Sequence, residues 1–88
     1  MQKAFRQNLM AQNSNKWNHI FQALHQWGKV GAQGNRSKAA DLLAKAASKG
    51  RLYKNDKLVQ EYRWVYQGKT IVAKVSKKTG QISDGWVK

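Results

Sequence analysis

The run "YRWVYQGKTIVAKVSKKTGQISDGWV", residues 62–87, decides the fold. β-Branched and aromatic residues recur with a period of two, broken at Gln67-Gly68 and at Lys77–Gly80, as in hairpin strands joined by tight turns. With Gln67-Gly68 as a two-residue turn, Trp64 lies across from Ile71, Tyr62 from Ala73, Arg63 from Val72 and Val65 from Thr70. The second turn, with Gly80 as a bulge residue, sets Val75 opposite Ile82 and Lys74 opposite Ser83. The strands are therefore expected at 60–66, 69–76 and 80–87, with a weaker one near 51–54 or 57–60. Because side chains alternate between faces, helices are expected over Tyr62, Trp64, Ile71, Ala73, Val75 and Ile82. Arg63, Thr70, Lys74 and Ser83 are left together on an open, basic face.

Upstream the period changes to 3.6. Trp17, Ile20, Phe21, Leu24 and Trp27 form an apolar stripe on a helix that Gly28 can close. Ser37 is the expected N-cap of a second helix, "KAADLLAKAASK", with Gly50 as its C-cap and Ala39, Leu42, Leu43, Ala46 and Ala47 on its buried side. Residues 1–15, dense in Gln and Asn, read as a poorly structured or weakly helical lead-in, a former linker ahead of a single domain at 16–88. The expected class is α+β: two or three N-terminal helices packed on one face of a twisted antiparallel sheet of three to four strands.

Eighty-eight residues make one small domain, of a size that buries only about 60% of its unfolded surface, so one site is the most to expect. Seventeen Lys and Arg stand against four acids, Asp41, Asp56, Glu61 and Asp84, for a formal charge of +13. Cations spread from Lys3 to Lys88 belong to the folded surface and point to a polyanionic partner, nucleic acid or an acidic protein. No cysteine is present, which removes disulfide scaffolds, cysteine-zinc sites and thiol nucleophiles. No run of 18 apolar residues occurs, and the start lacks a signal-peptide pattern, so a folded domain outside the membrane is expected.

Four scattered acids are too few for a carboxylate metal nuclease, so no metal and no cofactor is expected. The glycines at 28, 31 and 34 match neither the phosphate-loop nor the dinucleotide spacing. They read as a flexible connector from which Lys29 and Arg36 touch RNA. RNA can be cut without a metal because its own 2′-OH is the nucleophile, given a base, an acid and cations for the phosphorane. His19 and His25 are the candidate base and acid. On one uninterrupted helix, however, six residues turn them about 240° apart, and no carboxylate is near in sequence to orient either ring. A packing role for one or both stays open at this point.

"HIFQALHQWGKV", residues 19–30, resembles the His-Ile signature and the following Lys-His-x-Trp element of the polymorphic toxin type 35 domains, found at the tips of bacterial secreted toxins. "GKTIV" at 68–72 and "ISDGWV" at 82–87 are similar to that family's closing strands, so the resemblance covers roughly residues 16–88. Leu24 stands where the family's lysine is expected, which leaves that role dispensable or passed to Lys29. Helices followed by a twisted sheet are also similar, in architecture alone, to the barnase, EndoU, colicin and RelE ribonucleases.

The resemblance implies an antibacterial toxin delivered as part of a larger secreted or surface protein, as in contact-dependent growth inhibition. It would act in the target cell's cytoplasm and be neutralised by a cognate immunity protein, expected here to be acidic. The expected activity is a metal-independent endoribonuclease acting as a monomer on tRNA and leaving a 2′,3′-cyclic phosphate. His25 and His19 would move protons, Lys69, Lys74 and Arg63 hold phosphate, Thr70 and Ser83 donate hydroxyls, and Lys29 and Arg36 bind RNA. The alternatives are a non-catalytic nucleic-acid-binding module and a toxin that binds its target or acts on DNA.

Overall fold

The computed structural model describes residues 2–88. Three α-helices, α1 (Gln2–Met10), α2 (Ser14–Ile20) and α3 (Arg36–Lys49), precede four strands, β1 (Arg51–Asn55), β2 (Val59–Tyr66), β3 (Lys69–Ser76) and β4 (Ile82–Val87). Two 3-10 turns, Ala23–His25 and Trp27–Val30, lie between α2 and α3. The strands form one antiparallel sheet in the order β1-β2-β3-β4. With the N-terminal helices packed against it, this is an α+β fold.

The β2–β3 register matches the expected one pair for pair, from Val65↔Thr70 to Tyr62↔Ala73. Gln67 and Gly68 both take positive φ, 49° and 76°, the twist that a two-residue hairpin needs. Ile71, Ala73, Val75, Ile82 and Val87 are buried under the helices, and Tyr62, Trp64 and Tyr66 pack at the margin. In α3, Ala39, Leu42, Leu43, Ala46 and Ala47 are buried as expected. Its N-cap is Asn35 and not Ser37: the Asn35 side chain accepts from the Lys38 backbone N–H at 3.0 Å.

Small residues on α3 let the sheet come close. A side chain at residue 85 would run into the Leu43 methyls and the Val72 carbonyl, so Gly85 is the point at which β4 lies against α3. That fixes its neighbours Asp84 and Trp86 in space. Gly50 has the same kind of reason: it is extended, with φ −74°, and a β-carbon there would meet the carbonyls of Ala46 and Arg63.

Two further expectations are corrected. Residues 2–10 are a helix whose Phe5 and Leu9 are buried in the common core, and Arg6 bonds Ser37 at 2.7 Å. The core therefore includes part of the 1–15 lead-in, of which Met1 lies outside the described residues. The expected long helix through Trp27 is broken: α2 ends at Ile20, Gln22 is extended and Gln26 is left-handed with φ 59°. Leu24, expected in the core stripe, is 85% exposed. Trp17 and Trp27 are fully buried as expected, and each indole N–H reaches a carbonyl, Trp17 to Leu9 at 3.1 Å and Trp27 to Ile20 at 2.9 Å. A buried indole needs an acceptor, and a helix end leaves carbonyls free. Turning back at Ile20 satisfies both, which continuing the helix would not.

Candidate active site

The break in the helix creates the site. α2 is held at its start by Asn13, whose side chain accepts from the Lys16 N–H at 3.0 Å. Lys16 ties the helix to β4 through its Nζ, which donates to the Ser83 carbonyl at 2.9 Å. At the other end, the Ile20 carbonyl accepts a second bond, from His25 Nδ1 at 2.8 Å. A carbonyl can only accept, so Nδ1 carries the hydrogen and the lone pair of His25 is on Nε2. The chain reversal brings His19 and His25 onto one side, their ring centroids 5.6 Å apart and edge to face.

His19 Nε2 lies 3.1 Å from Asp84 Oδ2. With the carboxylate accepting there, His19 presents Nδ1 outward. Gln22, midway between the histidines in sequence, spans the two presented nitrogens: its Nε2 is 3.1 Å from His25 Nε2 and 3.5 Å from His19 Nδ1. One atom position is thus within hydrogen-bond reach of both imidazoles. Asp84 is itself fixed, Oδ1 accepting from the Gly85 N–H at 2.8 Å, and its side chain is 20% exposed. His25, 13% exposed, has its ring 5.7 Å from that of Trp86. The Lys74 ammonium lies 5.3 Å from the Trp86 ring centre, so a cation, an aromatic face and two imidazoles meet at one edge of the open sheet face.

Asp84 reaches this place through a bulge. The ladder slips between Lys74 and Val75, so Val75 pairs with Ile82 as expected but Lys74 pairs with Asp84. Ser83, expected opposite Lys74, is the extra residue, and its hydroxyl donates to the Lys74 carbonyl at 3.4 Å. It shapes the bulge that presents Asp84.

Of the residues singled out in the sequence, His19, His25 and Lys74 come together. Arg63 is on the same face, in the cross-strand row Arg63–Val72–Trp86. Thr70 is on that face too, but four residues along β3 from Lys74, or about 13 Å. Lys69, paired with Tyr66, alternates onto the other face and is not part of this cluster. Lys29 sits in the second 3-10 turn, exposed. Arg36 opens α3, where its guanidinium bonds Ser14 at 3.4 Å and lies 5.9 Å from the Trp17 ring centre, so it fastens α3 to α2.

Sequence reasoning missed Asp84, Gln22 and Trp86. Gln22 had a signal, its spacing of three from each histidine. Asp84 had only its rarity among four acids, because the bulge that aims it is a matter of tertiary fit.

His19, His25 and Asp84 can each offer one donor atom with all three within 4.8 Å, and two imidazoles with a carboxylate suit a transition-metal ion. The His25 nitrogen nearer the carboxylate, Nδ1 at 3.9 Å from Oδ1, is the one held by Ile20. A metal bound through that nitrogen would have to break the bond to Ile20, whereas Nε2 is free of it. No helix among the described residues is long and apolar enough to cross a membrane.

Compared with family models, with curated proteins and with solved structures, the chain matches none of them.

Proposed function

We propose that this domain is a metal-independent endoribonuclease of the antibacterial-toxin kind, cutting tRNA by attack of the 2′-OH on the adjacent phosphate. The observation that carries the reading is the shared position held by Gln22, 3.1 Å from His25 Nε2 and 3.5 Å from His19 Nδ1. A phosphoryl group brought there displaces the amide and touches both rings. His25, with its proton on Nδ1, has a lone pair at Nε2 to accept the 2′-OH proton. His19, protonated and paired with Asp84, gives its Nδ1 proton to the departing 5′-oxygen. The 2′-oxygen forms a bond to phosphorus as the bond to the 5′-oxygen breaks, leaving a 2′,3′-cyclic phosphate. Charge on the phosphorane is met by Lys74, a pre-placed cation acting where charge develops, while Arg63, further along the face, binds the RNA backbone.

The +13 surface suits a polyanionic substrate and offers an inhibitor a route of the same chemistry. The cognate immunity protein is accordingly acidic and competes with RNA for the face bearing Arg63 and Lys74. Complementary charge of this kind speeds association, up to about 10⁸ M⁻¹s⁻¹ at low salt. Incubating the domain with total tRNA in EDTA tests the reading: discrete fragments ending in a cyclic phosphate support it. A mobility shift with intact RNA instead supports a non-catalytic binding module, and intact growth on expression without a partner removes the toxin reading.

A further inference from the structure

Beyond the histidine cluster, the same sheet face carries a second constellation that plays no part in the proton transfers. Arg51, Tyr53, Arg63, Val65 and Thr70 line an open basin of about 300 Å³. A bulge between Leu52 and Lys54 makes Tyr53 an extra residue of β1, and the Arg63 guanidinium lies over its ring, 3.5 Å from the centroid. Glu61 holds that guanidinium from the side, accepting from Nε at 3.0 Å, so the group is positioned by both Tyr53 and Glu61.

Arg51 and Arg63 face each other directly across the strands. Like charges so placed are destabilising, and among the described residues the one carboxylate bonded to the pair is Glu61. An anion in the basin relieves that repulsion. Tyr53 and Val65 are more than half exposed, which gives the basin apolar surface for a flat ring beside its two cations. Arg63 is also two strands from Trp86, about 10 Å, close enough for one strand of nucleic acid to reach both. Val72, between them in the row, is fully buried, so the floor joining the two places is closed.

We infer that this basin is a nucleotide subsite for an unpaired RNA strand: the base stacks at Tyr53 and Val65, and Arg51 and Arg63 hold the adjoining phosphate, one or two nucleotides from the bond cut at the histidines. This deepens the ribonuclease reading and rests on it for the identity of the strand. Base stacking on an aromatic platform requires a base free of its partner, so the subsite selects single-stranded segments such as loops.

The test is fluorescence anisotropy with a labelled 2′-O-methyl oligonucleotide, which cannot be cut, so its outcome is independent of whether the domain cleaves RNA. Tyr53→Ala is expected to weaken binding of the single strand about 5- to 150-fold, the range that loss of one stacked base gives. The same variant leaves affinity for a perfect duplex unchanged, and Arg51→Gln weakens the single strand as well. Tyr53 is exposed, so its removal does not unfold the domain, which circular dichroism verifies. Unchanged affinity for the single strand, or equal loss on strand and duplex, overturns the subsite. A wild-type domain that shows this pattern yet leaves all RNA intact keeps the subsite and overturns the nuclease.

Discussion

His19 Nε2 and Asp84 Oδ2 lie 3.1 Å apart, although 65 positions separate the residues along the chain. The contact joins the last turn of α2 to the bulge of β4 and fixes which nitrogen of His19 is presented outward. Asp84→Asn keeps the size of the side chain and removes the charge that pairs with protonated His19. Cleavage is expected to fall at least about tenfold, as when a buried partner of a catalytic histidine is neutralised. Thermal melting should stay near the parent value. Undiminished cleavage by Asp84→Asn would reduce the contact to packing.

Gly85 and Leu43 provide a test of how the site is positioned. Gly85→Ala drives a methyl into the Leu43 side chain, and overpacking of this kind costs about 1–3 kcal/mol. Leu43→Ala opens a cavity and costs about 2–5 kcal/mol. Combined, the small methyl enters the space vacated, so the double variant is expected to be more stable than the two losses added together. Urea unfolding measures all four corners of the cycle. Strict additivity would mean that β4 does not rest on α3 at this point.

Leu24 and Trp17 separate a broken helix from a continuous one. With Leu24 85% exposed, Leu24→Lys should change stability by no more than about 0.5 kcal/mol. A stripe on one continuous helix would instead bury it and make the change costly. Trp17→Ala removes a fully buried ring and should cost about 3–5 kcal/mol, enough to unfold much of a small domain. Calorimetry on the two variants decides: a large loss for Leu24→Lys contradicts the chain reversal at Ile20.

The sheet was legible in the sequence because its information is local. Gln67-Gly68 specifies the turn, and alternation on either side specifies which residues face α3. Helix α3 was legible for the same reason, apart from a cap displaced by two residues. The candidate site was legible only as a list of residue types. His19 and His25 look incompatible on an ideal helix, and they converge because Trp27 and His25 share the Ile20 carbonyl. That contact forms only when the chain folds back, and no periodicity announces it. Asp84 was hidden by one slip of register, since a bulge exchanges Ser83 for Asp84 opposite Lys74. Thr70 was grouped with Lys74 because they share the open face, and Lys69 joined them as a phosphate cation. Distance along β3 and the alternation of faces take them away from the histidines.

The charge of the face has a measurable signature. Each phosphate neutralised contributes nearly one unit to the slope of log K against log salt on duplex nucleic acid and about 0.7 on single strands. Binding of uncleavable RNA should therefore weaken steeply with salt, and Lys74→Ala or Arg63→Ala should each flatten the slope by about 0.7 on a single strand. Lys69→Ala, on the opposite face, should leave it nearly as it was. An affinity that hardly varies with salt would contradict a phosphate-binding face.

Cleavage of tRNA in EDTA by the parent domain and by His25→Ala bears most directly on the central claim. His25 is 13% exposed and its Nδ1 bonds the Ile20 carbonyl, so circular dichroism first verifies that the variant folds and rates are compared per folded molecule. Removing a positioned proton acceptor should slow cleavage by about 10²- to 10⁴-fold. The parent should give discrete fragments with 2′,3′-cyclic ends, unaffected by the chelator. Fragments formed by folded His25→Ala at the parental rate, or lost from the parent when EDTA is added, would contradict a proton-transfer site built on the two histidines.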